Sequence, residues 1–344
     1  MIGFRVDANE KIATGHLMRC MAIAKGFQKT GEQVLFFLAE EKETERLKAH
    51  NIPYVILHSQ WNDLETEIPV LVKYIEKFSI EKLIVDSYQA TRVYLESVNE
   101  KVDVFYMDDM AEETYKIAGV IHYSNWPWDL RYKERYEKYN TVCMAGMEYT
   151  PLRDEFYPAE IITKKNVLLT TGGTDPYNIA GKILEYVSEQ KKKVNHFHSF
   201  WQEVNFIVVS GNLNENKKKL QALQEKISWF TLHENVNNMG ELMRNSYLAV
   251  SAGGTTLYEL CACKVPTISF SFADNQEGFT EEMGKQDILY YAGDARKQEE
   301  LVKIICEKLE ELWKNDSICK QYREKMAQLV DGKGVERIVE TMLK

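Results

Sequence analysis

A polar segment close to the N-terminus holds residue types that can move a proton. Asp7 ends the first apolar run, and Thr14-Gly15-His16 then opens an apolar helix pattern that includes Arg19. Threonine followed by glycine is typical of a helix start that leaves room for a ligand against the first backbone amides. The positive end of a helix disfavours the imidazolium, so we expect a neutral His16 at about pH 7 that acts as a base. A lone histidine more often just packs in a capping loop, but the flanking Asp7 and Arg19 favour a catalytic set of these three residues.

Two glycine-rich turns in the second half of the chain are suited to an anion. Gly172-Gly173-Thr174 and Gly253-Gly254-Thr255 each stand between a predicted strand and a predicted helix, and Glu259 lies about one helical turn further on. Such turns can hold a diphosphate with backbone amides and hydroxyls at helix N-termini, without a lysine. Glu259 is then well placed for ribose hydroxyls. The alternatives are two ordinary tight turns and a glutamate on a solvated helix face.

The composition argues against several other classes of protein. The 52 acidic and 43 basic residues give a net charge of −9, without the basic stripe of a nucleic-acid-binding protein. The chain also lacks the G-x-x-x-x-G-K-[ST] and G-x-G-x-x-G sequences of nucleoside triphosphatases and dinucleotide-binding enzymes. Its apolar runs stay short of the roughly 18–20 residues that span a bilayer, which predicts a soluble, cytoplasmic protein.

Neither a disulfide framework nor a metal site is predicted. The six cysteines are scattered, and only Cys261 and Cys263 are close together. His196 and His198 form a close histidine pair beside a lysine-rich stretch, and we interpret that pair as part of a solvated loop. We therefore expect no metal and no cofactor.

Repeated strand–helix units must position these segments. Short apolar segments at 3–6, 34–38, 54–56, 83–86 and 104–107 alternate with longer amphipathic ones, and the pattern restarts at 166–171. Fully apolar strands between helices are typical of parallel sheets covered on both faces. The 344 residues suit two domains of roughly 150–200 residues each, which we place at 1–160 and 161–344. We expect two Rossmann-like, doubly wound α/β domains that bind a ligand at the carboxyl ends of their strands.

A set of short motifs spread over nearly the whole chain carries a resemblance to a known family. The motifs are Arg5-Val-Asp7, Gly15-His16-x-x-Arg19, Val85-Asp86-x-Tyr88, Met107-Asp108-Asp109, Gly146 through Phe156, Gly172-Gly173-Thr174-Asp175, Ser251-x-Gly-Gly-Thr-x-x-x-Glu259, Asp274-Asn275-Gln276 and Asp331-Gly-Lys-Gly334. In this order they resemble the UDP-2,4-diacetamido-2,4,6-trideoxy-β-L-altropyranose hydrolases of pseudaminic acid biosynthesis and the related spore coat polysaccharide biosynthesis proteins. Gly-His-x-x-Arg is the most informative of them.

The resemblance implies a glycosyltransferase-B (GT-B) architecture, with the nucleotide on the second domain and the sugar facing the first. It also implies that His16 is catalytic and that Glu259 binds the ribose, with uracil near Val236. Amides around Gly173, Gly254 and Thr255 would bind the diphosphate. The other candidate substrate-binding residues stand in the same motifs: Gly15, Tyr88, Asp108, Asp109, Gly172, Thr174, Gly253, Asn275 and Gln276. Segments 126–139 and 196–201 are insertions relative to compact members and leave the exact sugar open.

The implied reaction is hydrolysis of a UDP-sugar at its anomeric carbon. His16 activates a water that attacks C1 with inversion, which releases UDP and a free diacetamido-trideoxy sugar of the altrose type. Which of Asp7, Asp108 and Asp109 assists stays open. An end-of-strand turn is an alternative explanation of Asp108-Asp109, and a solvated pair explains it nearly as well. The alternatives are a glycosyltransferase of the same fold and a non-catalytic protein that binds nucleotide sugars. The expected partners are the UDP-sugar and other enzymes of its pathway, without nucleic acid.

Overall fold

The computed structural model describes residues 1–7, 15–42, 44–124, 131–157, 165–193, 199–236 and 238–344. The chain divides into two compact units, of which the first comprises Met1–Asp154 and Gly332–Lys344 and the second comprises Glu155–Asp331. The sequence placed the division between residues 160 and 161 and assigned the whole C-terminus to the second domain. The structure therefore differs from that expectation at both ends of the second unit.

The first unit is built on a seven-stranded sheet, in which the strands pair in parallel in the order β3-β2-β1-β4-β5-β6-β7. Its strands are β1 (Ile2–Val6), β2 (Val34–Leu38), β3 (Tyr54–Ile56), β4 (Lys82–Asp86), β5 (Asp103–Met107), β6 (Gly119–His122) and β7 (Val142–Ala145). Its helices are α1 (Gly15–Lys29), α2 (Thr44–Ala49), α3 (Ile68–Phe78), α4 (Arg92–Asn99) and α5 (Tyr132–Tyr136). Strands β1 and β2 are buried along their whole length, as strands covered on both faces must be.

The second unit is built on a six-stranded parallel sheet in the order β10-β9-β8-β11-β12-β13. Its strands are β8 (Asn166–Thr170), β9 (Asn205–Ser210), β10 (Phe230–Glu234), β11 (Leu248–Ala252), β12 (Thr267–Ser271) and β13 (Tyr290–Asp294). Its helices are α6 (Ile179–Lys193), α7 (Phe200–Glu203), α8 (Lys217–Gln224), α9 (Met239–Arg244), α10 (Thr256–Ala262), α11 (Asp274–Lys285), α12 (Leu301–Lys314) and α13 (Asp316–Leu329). Across the described ranges of both units, no helix is long and apolar enough to cross a membrane.

The sequence located ten of the thirteen strands that the structure describes. The five apolar segments predicted in the first half correspond to β1 to β5, whereas β6 and β7, of four residues each, were not predicted. An apolar run of that length does not distinguish a strand from a loop or a helix turn. Strand β13 was missed for a related reason, since its sequence Tyr-Tyr-Ala-Gly-Asp contains a glycine and is only partly buried.

The last helix, α14 (Gly334–Leu343), belongs to the first unit rather than to the second. Gly26 of α1 leaves no room for a Cβ because Val335 and Val339 of α14 pack against it. Lys82, at the start of β4, donates to the main-chain carbonyl of Met342. An amphipathic pattern predicts that a helix covers a sheet but does not say which sheet, so this assignment needed the tertiary structure.

In each sheet the strand order reverses at one place, between β1 and β4 in the first unit and between β8 and β11 in the second. In an open parallel sheet the loops on either side of such a reversal diverge. They leave a crevice at the carboxyl ends of the strands, where ligands bind. We call these places the first and the second switch point.

Candidate active site

The first switch point brings a histidine and a carboxylate together. His16 is the second residue of α1, which follows β1, and Asp86 is the last residue of β4. Because β1 and β4 are neighbours in the sheet, their ends lie at the same edge. The Nδ1 atom of His16 lies 2.5 Å from Oδ1 of Asp86, and both side chains are largely buried. The predicted cap at Thr14 lies outside the described residues.

Arg19 lies one turn further into α1 and holds two carboxylates. Its Nε donates to Oδ2 of Asp86 at 2.6 Å, and its Nη2 donates to Oδ1 of Asp86 at 2.5 Å. Its Nη1 donates to Oδ1 of Asp109 at 3.0 Å and to the hydroxyl of Tyr123 at 2.6 Å, and Nη2 lies 2.8 Å from Oδ2 of Asp109. Burial alone lowers the pKa of Arg19, but Asp86, Tyr123 and Asp109 outweigh it and keep the pKa well above its usual value. Arg19 is therefore a permanent cation that orients both carboxylates.

Tyr88 completes a closed ring of contacts. Its hydroxyl donates to Oδ2 of Asp109 at 3.0 Å, and its ring meets the His16 ring edge to face, with 4.6 Å between the centroids. The contacts therefore run from His16 to Asp86, Arg19, Asp109 and Tyr88 and back to His16. Tyr88 stays 56% exposed, so one part of this cluster is open to solvent.

The protonation of the pair follows from the charges around it. Burial alone would raise the pKa of Asp86, but Arg19 and His16 outweigh it and hold the pKa well below its usual range. Asp86 is therefore an ionised acceptor, and Nδ1 of His16 must carry the proton between them. Arg19 Nη2 also lies 3.0 Å from Nδ1, but a protonated Nδ1 cannot accept, and the shorter contact with a carboxylate decides the assignment. The lone pair of the neutral ring is then on Nε2.

The prediction of a neutral His16 was based only on its position at a helix N-terminus. The structure adds Asp86, a carboxylate in direct contact with His16.

The structure separates the two neighbouring carboxylates Asp108 and Asp109. Asp108 is fully buried and accepts from the amide of Ala111 at 2.8 Å and from the hydroxyl of Tyr132 at 2.6 Å. Asp109 points to Arg19 and Tyr88 instead. The alternative of a solvated pair is wrong, because neither side chain is a free surface carboxylate. Asp109 joins the cluster at the first switch point, whereas Asp108 fixes the turn after β5.

Asp7 lies in a different network from His16. Its carboxylate accepts from Nη1 of Arg5 at 2.6 Å and from the amide of Ala39 at 2.9 Å. Arg5, on β1, is fully buried and also donates to Glu67. Burial raises the pKa of Asp7, an effect that Arg5 and Ala39 partly offset. None of the contacts described for Asp7 joins it to His16, so its catalytic role stays a prediction.

The second switch point is formed by backbone rather than by ionised side chains. Gly172 has a φ of 76° and Gly254 a φ of 143°, a region that favours glycine. A Cβ added at Gly172, Gly173 or Gly254 would meet nothing within 4 Å among the described residues. The two turns therefore present accessible main chain at the ends of β8 and β11. Their open space is compatible with the predicted approach of an anion.

Neighbouring segments brace both turns. Gly211, just after β9, packs its Cα against the carbonyls of Gly172 and Gly173, and Leu213 donates its amide to the Gly173 carbonyl at 3.0 Å. Gly253 similarly packs against Gln276 and Thr280 of α11. The sequence predicted Gln276 as a binding residue. Its Oε1 accepts from the amide of Phe272 at 3.0 Å, and its binding role stays a prediction.

Asp175 caps the helix that follows the first glycine turn. Its carboxylate accepts from the amides of Ile179 at 2.8 Å and Ala180 at 3.0 Å, at the start of α6. Burial raises the pKa of Asp175, and these two amides partly offset the effect. This carboxylate is thus committed to the fold and leaves the glycine turn itself without a side-chain charge.

The other predicted binding residues lie at the carboxyl edges of the two sheets. Glu259 is half-buried on α10, and Val236 is half-buried in the segment after β10. Gly15, Thr174 and Thr255 stand at or near the starts of α1, α6 and α10, and Asn275 is exposed on the first turn of α11. The hydroxyl of Thr255 does not cap α10. The binding roles of these residues stay predictions.

The sequence analysis did not assign a role to Asp86, Tyr123 or Cys20, which all contact the cluster. The sequence contained an indication for Asp86, because this residue ends a predicted strand and belongs to one of the matched motifs. Cys20, which lies one turn after His16 in α1, donates to Oδ2 of Asp86 at 3.4 Å. Tyr123 follows β6, a strand that was not predicted. Within the part of the chain that the structure describes, no group of three metal-ligating side chains is placed to hold a metal. His196 and His198 lie outside that part.

Solved structures with the same architecture define the class of fold. MurG of Acinetobacter baumannii superposes with a TM-score of 0.65 at 14% identity, over 99% of this chain and 99% of MurG. Alr3699/HepE of Anabaena, in complex with UDP and glucose, superposes with a TM-score of 0.59 at 14% identity, over 100% of this chain and 99% of HepE. Two doubly wound parallel units and these neighbours establish the GT-B architecture, which confirms the predicted fold.

The family follows from a match that takes in most of the second unit and the first part of α14. Residues 167–339 match the glycosyltransferase family 28 C-terminal domain, and because this match takes in half of the chain, the chain belongs to that family.

Two curated relatives share 22% identity with this chain over the aligned residues. The spore coat polysaccharide biosynthesis protein SpsG of Bacillus subtilis is 22% identical over 285 residues, which cover 80% of this chain and 78% of SpsG. The uncharacterized protein MJ1062 of Methanocaldococcus jannaschii is 22% identical over 281 residues, which cover 78% of this chain and 54% of MJ1062. The chain thus spans only about half the length of MJ1062. SpsG supports the part of the resemblance that concerns spore coat polysaccharide proteins.

Proposed function

We propose that this chain is an enzyme acting on a UDP-sugar, and specifically a hydrolase that releases UDP and a free sugar. The observation that carries the proposal is the placement of His16 at the first switch point. Its Nδ1 is engaged by Asp86 at 2.5 Å, so Nε2 is the nitrogen with a free lone pair. A base held in this way can activate water.

The proposed step is an in-line displacement at the anomeric carbon. The oxygen of a water forms a bond to C1 while the bond from C1 to the diphosphate oxygen breaks, and its electron pair leaves with UDP. Nε2 of His16 takes the proton of the attacking water. Attack opposite the leaving group gives the inverted anomer. General-base assistance contributes roughly 10²–10⁴ in rate, and electrostatic stabilisation of the leaving group contributes a comparable or larger factor.

The second unit is proposed to bind UDP. The main chain at Gly172 and Gly254 is open and lies on either side of the second switch point. Val236 follows β10, which is two strands away from β8, a lateral separation of about 10 Å. A nucleoside attached to a diphosphate at the glycine turns can extend over this separation, with Glu259 as the predicted ribose ligand. HepE, which has the same fold, was solved with UDP and glucose.

The sugar is proposed from the motifs of the chain. Their resemblance to pseudaminic acid biosynthesis proteins favours a diacetamido-trideoxy sugar of the altrose type, and the similarity to SpsG favours surface polysaccharide biosynthesis. We place the enzyme in the cytoplasm, where it would act with other enzymes of that pathway. In this proposal the first unit supplies the residues that react with the sugar.

A glycosyltransferase is the second candidate. The match to a glycosyltransferase family 28 domain and the structural likeness to MurG favour it. The chemistry at His16 is the same in both cases, because a base that activates water can also activate an acceptor hydroxyl. The two candidates differ in the nucleophile alone.

The test is to incubate the purified protein with a panel of UDP-sugars in ¹⁸O-labelled water without an acceptor. A hydrolase that attacks carbon releases UDP and places the label in the free sugar, and rapid NMR detects the inverted anomer before mutarotation. Label in UDP contradicts the proposal, because it means attack at phosphorus. Turnover that begins only when an acceptor hydroxyl is added favours the glycosyltransferase.

A further inference from the structure

A buried carboxylate that the sequence analysis did not assign contacts His16. Asp86 accepts from one nitrogen of His16 and two nitrogens of Arg19. Nδ1 of His16 and Nη2 of Arg19 reach Oδ1, and Nε of Arg19 reaches Oδ2. We propose that Asp86 is a positioning residue that fixes the Nδ1–H tautomer of His16 and pairs with the imidazolium formed when Nε2 takes a proton. Its part in turnover rests on the proposed function, whereas its control of the tautomer does not.

The tautomer follows from the capacity of each atom to donate or accept. An ionised carboxylate can only accept, and a neutral imidazole has one N–H. Both oxygens of Asp86 are already acceptors from Arg19 at 2.6 Å or less, which keeps the carboxylate ionised although it is fully buried. The proton of His16 therefore stays on Nδ1. Nε2, on the other side of the ring, keeps the lone pair that a general base needs.

The charges around His16 can compensate the imidazolium that forms during the proposed reaction. With a neutral imidazole, the cation of Arg19 faces two carboxylates, Asp86 and Asp109, and the cluster carries one excess negative charge. Proton transfer to Nε2 cancels that excess. In a buried site such compensation is worth more than in water, because the effective dielectric constant is lower. The arrangement thus stabilises the imidazolium that the reaction produces.

Two further contacts restrict rotation of the imidazole ring. The Tyr88 ring packs edge to face on it at an interplanar angle of 84°, and the Tyr88 hydroxyl is tied to Asp109 at 3.0 Å. Asp109 is in turn tied to Arg19. Because this ring of contacts closes on His16, the direction in which Nε2 points is set by the protein before a substrate arrives, which is the basis of preorganised catalysis.

The first experiment needs no change near Asp86. The full chain is labelled with ¹⁵N-histidine, and the ring nitrogens of His16 are assigned by comparison with His16→Gln. At a pH where the imidazole is neutral, we expect Nδ1 with the ¹⁵N shift of a protonated nitrogen and Nε2 with that of an unprotonated one. The opposite tautomer, or an equal mixture of the two, overturns the inference, even if UDP-sugar hydrolysis is observed.

The second experiment measures what the contact between Asp86 and His16 contributes to turnover. We expect Asp86→Asn to lower kcat for UDP release by about 10²–10⁴-fold with unchanged UDP affinity. Cys20→Ala is the matched control, since it removes another contact with Asp86 at 3.4 Å but keeps the carboxylate. An unchanged kcat, or an equal loss of kcat and UDP affinity, in a folded Asp86→Asn protein contradicts the inference.

The two experiments keep the inference separate from the proposed function. If no UDP-sugar is hydrolysed by the wild-type protein, the proposed function fails while the NMR result still decides the tautomer. If Asp86→Asn does not fold, circular dichroism reveals this, and the wild-type spectrum remains the deciding measurement.

Discussion

The two switch points occupy the same place in two sheets of the same strand order, yet they present different chemistry. The first is lined by ionised and aromatic side chains, namely His16, Arg19, Asp86, Tyr88 and Asp109, which neutralise and orient one another. The second presents open main chain at Gly172 and Gly254, and the nearby Asp175 is committed to capping α6. The same fold therefore places a cluster of ionised side chains in one unit and open, uncharged main chain in the other.

The difference has a physical reason. A base needs neighbours that fix its tautomer and balance its charge, and side chains from several elements provide them. A diphosphate needs close approach to many amides, which only glycine in a positive-φ turn allows. The comparison predicts that changes at the first switch point affect turnover and that changes at the second affect UDP affinity.

His16→Ala is expected to have the largest effect. Loss of the base should lower kcat for UDP release by about 10²–10⁴-fold with UDP affinity unchanged, as measured by coupled assay and calorimetry. His50→Ala is the control, because His50 is exposed and its Nδ1 contacts only the carbonyl of Arg46 among the bonds described. Equal losses of turnover and UDP affinity would show that catalysis and UDP binding are not separated between the two switch points.

Arg19→Met is expected to reduce stability. It leaves the buried Asp86 and the half-buried Asp109 without their cation. The loss of one partner of a buried ion pair costs about 3–5 kcal/mol in the free energy of unfolding. Arg92→Met serves as the comparison, because its ion pair with Glu113 is exposed and should change stability little. Urea denaturation of both variants measures the difference. Similar results for the two arginines would mean that the cluster is not a charge-balanced unit.

Gly172→Ala tests the second switch point. An alanine at a φ of 76° should cost about 1–2 kcal/mol of stability, and it should weaken UDP binding while His16 is unaffected. Gly31→Ala is a matched control in the first unit, because Gly31 has a φ of 89° and equally open surroundings. We expect the same thermal destabilisation in both variants but weaker UDP binding only in Gly172→Ala. Unchanged UDP affinity in both would remove the glycine turn from the binding site.

Asp86 of the first unit and Asp175 of the second should change the pH dependence of stability in opposite directions. This is the smallest expected effect. The folded-state pKa of Asp86 is lowered, so its stabilisation is complete above the ordinary aspartate pKa of about 4 and is lost as the pH falls through the folded value. The folded-state pKa of Asp175 is raised by burial, so acidification through that range favours the folded state.

Urea denaturation between about pH 7 and about pH 3 tests these signs. Relative to the wild type, Asp86→Asn should lose less stability on acidification and Asp175→Asn should lose more. An unchanged slope in Asp86→Asn would mean that Asp86 is not held ionised by its neighbours.

Local patterns were sufficient for much of the molecule. The alternation of apolar strands with amphipathic helices predicted two parallel α/β units, because the periodicity of a segment depends on its own residues. The double glycines predicted turns with open main chain, and Thr14-Gly15-His16 predicted the start of the first helix. These features need no knowledge of distant contacts.

The tertiary structure decided which of these residues meet. His16 and Asp86 are 70 positions apart in the sequence, and they touch because β4 pairs with β1 instead of with β3, a strand order that no local pattern encodes. The same long-range packing paired Arg5 with Glu67, separated Asp108 from Asp109 and placed α14 on the first unit. Burial and charge balance are properties of the folded environment, so the partner of His16 could be identified only from the structure.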